Sequence, residues 1–245
     1  MELVRFHYGT ITSTNDFAKE LLLQHNFVLV TADYQTQGRG RNKNKWEGSH
    51  GLNLYASFGI KYQNLRRVEE VSYLQGLGAL ATIYSLREVA PNFHFVLKYP
   101  NDVYAKCPDG LFRKISGILI EHQFLGEFCT SSVIGIGINI NQTTFPDEIK
   151  EKATSLKLLG KEEKPDILCE HLIAQVQKLF ELYPHEIMNL WETELNLSGK
   201  QIRVITTNQV FTAEGIDFLG RLFGKTLDNE EVFVTDGDSV VYELE

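Results

Sequence analysis

Between Gln35 and Trp46 the chain reads QTQGRGRNKNKW. Four cations, Arg39, Arg41, Lys43 and Lys45, stand there without a single acid, in a protein of formal charge −8. Arginine suits two-pronged contacts to carboxylate or phosphate. Gly38 and Gly40 flank Arg39, lending backbone freedom and leaving room for a ligand near the main chain. No apolar residue interrupts the run before Trp46, so the segment has no core of its own. The expectation is a loop that is mobile when empty and ordered by an anion. A solvated basic loop accounts for the same residues equally well. The pattern is neither a Walker loop nor G-x-G-x-x-G.

Four further stretches carry chemistry. Ser13-Thr14-Asn15 opens a helix. Ser13 or Thr14 caps it and Asp16 sits near its positive end, which capping alone explains. A hydroxyl- and amide-rich helix start also binds polar ligands. In KYPNDVY, 98–104, a turn explains Pro100, Asn101 and Asp102. It does not explain Lys98, which ends an apolar strand and needs a partner. Lys114 enters KISGILIEH, whose apolar run indicates burial on both faces. A lysine there is costly to desolvate unless it is paired or its stem reaches water. In VIGIGININ, 133–141, Ile134, Ile136, Ile138 and Ile140 share one face and Gly135, Gly137, Asn139 and Asn141 the other. Glycines at period two weaken a strand, so something should occupy the bared face. A flat ligand or another backbone would do so.

The elements that position these residues follow from periodicity. Strands are expected at 3–8 and 28–34, the latter delivering the chain to the basic loop. A third spans 52–60, with Leu54, Ala56 and Phe58 facing a core and Asn53, Tyr55 and Ser57 opposite. Val68 to Val89 has helical spacing and stops before Pro91. Further helices are expected over 166–182 and 185–195, with Trp191 packed beneath the second. From Gly199 onward short strands separated by Gly and Asp indicate a small barrel.

Composition narrows the function. A length of 245 residues allows one large domain and a small one. A pI near 5.4 argues against general nucleic-acid binding. Residues 198–245 hold four Lys and Arg against nine Asp and Glu, a poor surface for DNA. Cys107, Cys129 and Cys169 lack C-x-x-C spacing and read as reduced thiols of a cytoplasmic protein. No signal peptide or membrane-spanning run is expected.

STN at 13–15, QTQGRGRNKNKW at 35–46, KYPNDVY at 98–104, KISGILIE at 114–121 and GIGIN at 135–139 together closely resemble the biotin protein ligases, the biotin–[acetyl-CoA-carboxylase] ligases. The resemblance runs the length of the chain. It implies a mixed α/β catalytic domain of the biotin/lipoate ligase type over 1–197 and an SH3-like barrel over 198–245. Some members carry an N-terminal winged helix. Here STN comes at residue 13, so the short form is expected. Carried over by position, biotin contacts fall on Ser13, Thr14, Asn15, Gln35, Arg39, Gly40, Arg41 and Lys114. Trp46, Lys98, Asn101 and Asn139 fall near the nucleotide. Arg39, Arg41 and Lys114 are the implied catalytic cations, and Asp102 is the candidate Mg²⁺ ligand. Two positions depart from the family: Asn44 replaces a frequent arginine and Tyr99 a tryptophan.

The implied reaction uses ATP to convert biotin to biotinyl-5′-AMP and then passes biotin to a lysine of a biotin carboxyl carrier domain. Neither DNA nor membrane is an expected partner, and a monomer or a homodimer is allowed. Two alternatives are a lipoate–protein ligase of the same fold, opposed by the G-R-G-R-x-x-x-x-W spacing, and, from a different class, a non-catalytic ligand-binding or adaptor module, opposed by the intact lysines and bared strand face.

Overall fold

The computed structural model describes residues 2–234 and 240–244. β1 (Val4–Ile11) leads into α1 (Thr14–Leu21), and β2 (Phe27–Gln35) returns parallel to β1. β3 (Asn53–Arg66) follows the basic loop, and α2 (Leu74–Val89) follows β3. Then come β4 (Phe95–Lys98), β5 (Asp102–Lys106), β6 (Phe112–Leu125) and β7 (Phe128–Asn139). α3 (Pro165–Leu179) and α4 (Pro184–Leu195) complete the larger part. Its seven strands form one mixed sheet in the order β1-β2-β3-β7-β6-β5-β4.

Alternation assigns the two faces of this sheet. Leu54, Ala56 and Phe58 of β3 and Ile134, Ile136 and Ile138 of β7 enter the main core. α2 lies on that side and is itself buried nearly all round, because α3 and α4 pack against it. A helix so enclosed needs no polar stripe. The helical spacing from Val68 onward is real only in part: Val68–Glu70 is a 3₁₀ turn, and α2 begins at Leu74. α1 covers part of the opposite face, packing on β2, β3 and β7 through Ala18 and Leu22. The rest of that face stays open for the site.

The chain ends in a five-stranded antiparallel sheet of β8 (Gln201–Val204), β9 (Val210–Ile216), β10 (Leu222–Lys225), β11 (Glu231–Phe233) and β12 (Val240–Val241). The order is β11-β10-β9-β8-β12, and among the described residues no pairing closes β11 onto β12. The reversal expected near Asp236 and Gly237 lies outside the described residues.

Tyr99 ties the two sheets together. Its hydroxyl donates to the Gly220 carbonyl at 2.9 Å and accepts from the Leu222 N–H at 3.0 Å. Its own N–H donates to the Tyr242 hydroxyl at 2.7 Å, and its ring stacks on Trp191, which is 1 % exposed. Burial pushes the Tyr99 phenol up to about 12, against the pull of the Leu222 N–H and Arg41. Tyr99→Phe keeps the stack but orphans a carbonyl and an N–H. It should cost about 1–3 kcal/mol, seen as a lower urea midpoint with an unchanged m value.

Candidate functional site

The N-terminus of α1, the basic loop, and the bared stretches of β6 and β7 meet around one cavity of about 110 Å³. Ser13, Thr14, Asn15, Gln35, Arg39, Gly40 and Arg41 all line it, as do Trp46, Asn101, Asp102 and Lys114. Lys98 and Asn139 do not.

A buried polar cluster forms one end. Ser13 holds the N-cap position of α1, yet its side chain makes no capping hydrogen bond. Gln35 does part of that work, since its Oε1 accepts from Thr14 N at 2.7 Å and from Thr14 Oγ1 at 3.0 Å. Ser57 Oγ lies 2.7 Å from Thr14 Oγ1 and 2.6 Å from Asn15 Oδ1. The Asn15 amide rests on Gly135, where a Cβ would collide with it. Asn15 Nδ2 donates to Glu121 at 2.6 Å. Buried donors and acceptors held this closely discriminate strongly between ligands that match them and ligands that do not.

The basic loop is folded. Trp46 N donates to Gly38 O, Gly40 N to Asn44 O and Asn44 N to Arg41 O, at 2.7–3.0 Å, around a 3₁₀ turn at Arg41–Lys43. These bonds close the loop into a hairpin. Its left-handed residue is Asn42, with φ 51°, and neither glycine. Asparagine tolerates that region. Gly38 is needed instead because a Cβ would strike the Trp46 carbonyl. Arg39 donates twice to Asp16, both bonds at 2.6 Å, and its Nη2 lies 3.5 Å from Glu121. This arginine holds the Asp16 carboxyl below its ordinary value. Burial raises the Glu121 carboxyl, but Asn15, Lys19 and Arg39 outweigh it and leave it lowered.

Lys114 owes its direction to an irregularity in the sheet. Tyr104 pairs with Lys114 and Val103 with Ser116, so Ile115 is an extra residue on β6. Such a bulge re-aims its neighbours. Lys114 Nζ lies 2.6 Å from Asp102 Oδ1 and 5.6 Å from the Trp46 ring centroid. Its backbone is clamped by the segment 152–154, through Lys114 N to Lys152 O and Thr154 N to Lys114 O. Asn139 Nδ2 donates to Thr154 O at 3.0 Å, so Asn139 supports Lys114 from behind the cavity rather than lining it. Lys98 points its ammonium over the Tyr104 ring, 5.6 Å from the centroid. Asn101 is fixed by bonding both ways with the Ile118 backbone at 2.8 Å.

The bared face of β7 has an occupant from the chain itself. The Trp46 indole lies on Gly137 and Gly117, where a Cβ on either would run into the ring. Its Nε1 is buried without a hydrogen-bond partner. The indole explains why the cavity is far below the about 300–1,000 Å³ of common ligand sites. Among the described residues no three His, Cys, Asp or Glu side chains gather as a metal cage. A metal carried by phosphates needs only one or two carboxylates, and Asp102 fits that requirement.

Sequence reading missed Ser57, Glu121 and the contact role of Asp16. Ser57 was legible only as one polar residue on the non-core face of β3. Glu121 follows the apolar run Ile118–Ile120 inside β6, which signals an acid that needs a cation nearby.

Cations, a buried polar cluster and a glycine-bared sheet face thus converge on one pocket. The family model for the biotin/lipoate A/B protein ligase family matches residues 8–139, and that for the biotin protein ligase C-terminal domain matches 197–238. The bifunctional ligase/repressor BirA of Bacillus subtilis is 31 % identical over 231 residues, covering 90 % of this chain and 69 % of that one. The biotin–[acetyl-CoA-carboxylase] ligase of Mycobacterium tuberculosis is 32 % identical over 137 residues, 54 % of this chain and 46 % of that one. The biotin protein ligase from Aquifex aeolicus in complex with biotin and ATP superposes with a TM-score of 0.72 at 25 % identity, covering 99 % of each chain. The chain belongs to the biotin/lipoate A/B protein ligase family, on its biotin protein ligase branch.

Proposed function

We propose that this protein is the ATP-dependent ligase that makes biotinyl-5′-AMP and transfers biotin to a lysine of a biotin carboxyl carrier domain. One observation carries the reading: Lys114 and Arg41 line the same cavity as the buried Ser13–Asn15 cluster. An acid whose uncharged ring system is rich in hydrogen-bonding groups would meet both.

In the first step the biotin carboxylate attacks the α-phosphorus of ATP, the bond to pyrophosphate breaks, and biotinyl-5′-AMP forms. Two anions must approach, so cations must offset their repulsion. Lys114 stands between the two subsites and stabilises charge growing at the α-phosphate. Arg41 and the backbone at Gly40 hold the acid. Ser13, Thr14, Asn15 and Gln35 bind the ring system and fix its distance from the phosphate. Trp46 covers the nucleotide after leaving the glycine face, and Asn101 borders it. Lys98 and Asn139 act on this side only through the strands they brace. In the second step an acceptor amine attacks the mixed anhydride and releases AMP. The closed loop excludes water in the interval.

Mg²⁺ bound to the phosphates, with Asp102 as its protein ligand, would reduce their negative charge. The finer assignments follow the same reading: the acceptor is the carrier domain of acetyl-CoA carboxylase, the setting is the cytoplasm, and residues 1–197 form the catalytic unit with 198–245 appended. No helix among the described residues is long and apolar enough to cross a membrane. Incubation with ATP, Mg²⁺, biotin and a carrier domain, read by mass spectrometry, tests the function. An acceptor that gains no biotin overturns it.

Arg41→Ala should speed escape of the adenylate about tenfold, since a charge-assisted hydrogen bond is worth about 1.5–3 kcal/mol before solvent screening. Trapping of released adenylate measures the rate. An unchanged rate would remove Arg41 from the ligand's contacts.

A further inference from the structure

Arg39 and Arg41 stand two residues apart in one loop, yet their surroundings differ. Arg39 is engaged by acids from two other elements: Asp16 in the first turn of α1 and Glu121 on β6. Lys19 lies 3.5 Å from Asp16 and 3.0 Å from Glu121. Two carboxylates thus face two ammonium or guanidinium groups, and the quartet is neutral. Glu121 also accepts from Asn15 Nδ2. A carboxylate can only accept, so it holds the amide of Asn15 with Oδ1 turned to Ser57. One pair of acids therefore sets both an amide in the cavity floor and the loop above it.

We infer that Asp16 and Glu121 are positioning residues that fasten the basic loop over the cavity through Arg39, so that Arg39 is a latch and not an anion-binding group. Bidentate geometry makes the Arg39–Asp16 contact directional. Both side chains are still more than a third exposed, so the latch is worth about 1 kcal/mol or less, or roughly fivefold in loop opening. That modest strength is useful in a lid that must open each turnover. The adenylate's phosphate then falls to Arg41 and Lys114, which line the cavity outside the quartet. The kinetic part of this inference rests on the ligase reading, but the loop part does not.

The experiment uses the full chain as wild type, Asp16→Asn, Arg39→Ala and the double variant. Hydrogen exchange is measured at the Gly40, Asn44 and Trp46 amides without ligand. Exchange should rise about three- to fivefold in Asp16→Asn and in Arg39→Ala, and rise no further in the double variant. Single-turnover adenylation should stay within about twofold in Asp16→Asn, while adenylate escape rises about as much as exchange does. Exchange unchanged by Asp16→Asn overturns the latch. So does a large adenylation loss in Arg39→Ala that Asp16→Asn does not share, because Arg39 would then act on the ligand. A wild type that forms no adenylate would instead overturn the ligase reading, and the exchange comparison would still decide the latch.

Discussion

Replacing Lys114 with alanine is expected to slow single-turnover adenylation by about 10²–10³-fold while leaving biotin affinity within about threefold. Loss of one preorganised group aimed at developing charge has an effect of this size. Lys114 stands beside Asp102 at 2.6 Å and over the Trp46 ring, 5.6 Å from its centroid. Its charge is therefore partly compensated by Asp102. Interactions made mainly in the transition state lower kcat more than they raise KM. The variant also strips Asp102 of its partner, so a thermal scan belongs beside the kinetics. Adenylation measured well below the melting temperature of Lys114→Ala separates lost stability from lost chemistry. Unchanged adenylation in a folded Lys114→Ala protein would end the assignment.

Gly137→Val is expected to weaken ligand binding by at least about a hundredfold in a chain that still folds. Valine suits a strand backbone, and Gly137 pairs regularly with Tyr55 and Gly117 on either side. Its new side chain would enter the space that the Trp46 indole now fills. The indole must move first, so the effect has two sources. Adding Trp46→Ala distinguishes them. If the ligand uses the glycine face, binding stays lost in the double variant. If binding returns, the valine acted only through the indole, and the bared face is not the ligand's seat. Normal affinity in folded Gly137→Val would also sink the reading.

Period-two placement in β7 was enough to show that something lies against Gly135 and Gly137. It was not enough to say what, because glycine spacing records missing volume and not the identity of the guest. The guests proved to be the amide of Asn15 and the ring of Trp46, which come from segments about 120 and 90 residues away. Long-range pairs of this kind have no local signature. The same holds for Arg39. Its type and spacing announced an anion, and the anion it meets in the structure is the chain's own Asp16. Lys114 was legible as a lysine that needed a partner, and Asp102 is that partner. The bulge that aims it left no mark in KISGILIEH, since Ile115 looks like any other core residue. The alternation of β3 was readable because one face must be apolar, and the short C-terminal strands because their described reversals carry Gly, Asn or Asp.

The indole on the glycine face makes the protein its own competitor. A ligand that needs that face binds only the fraction of molecules in which Trp46 has moved aside, so its apparent dissociation constant is the intrinsic one divided by that fraction. Substitutions that loosen the indole would then tighten the first encounter with substrate even as they weaken retention of the intermediate. The chain has two tryptophans, and Trp191 is sealed between the sheets. Ultraviolet emission that changes on titration therefore reports on Trp46, and the displaced competitor doubles as an optical count of occupied sites.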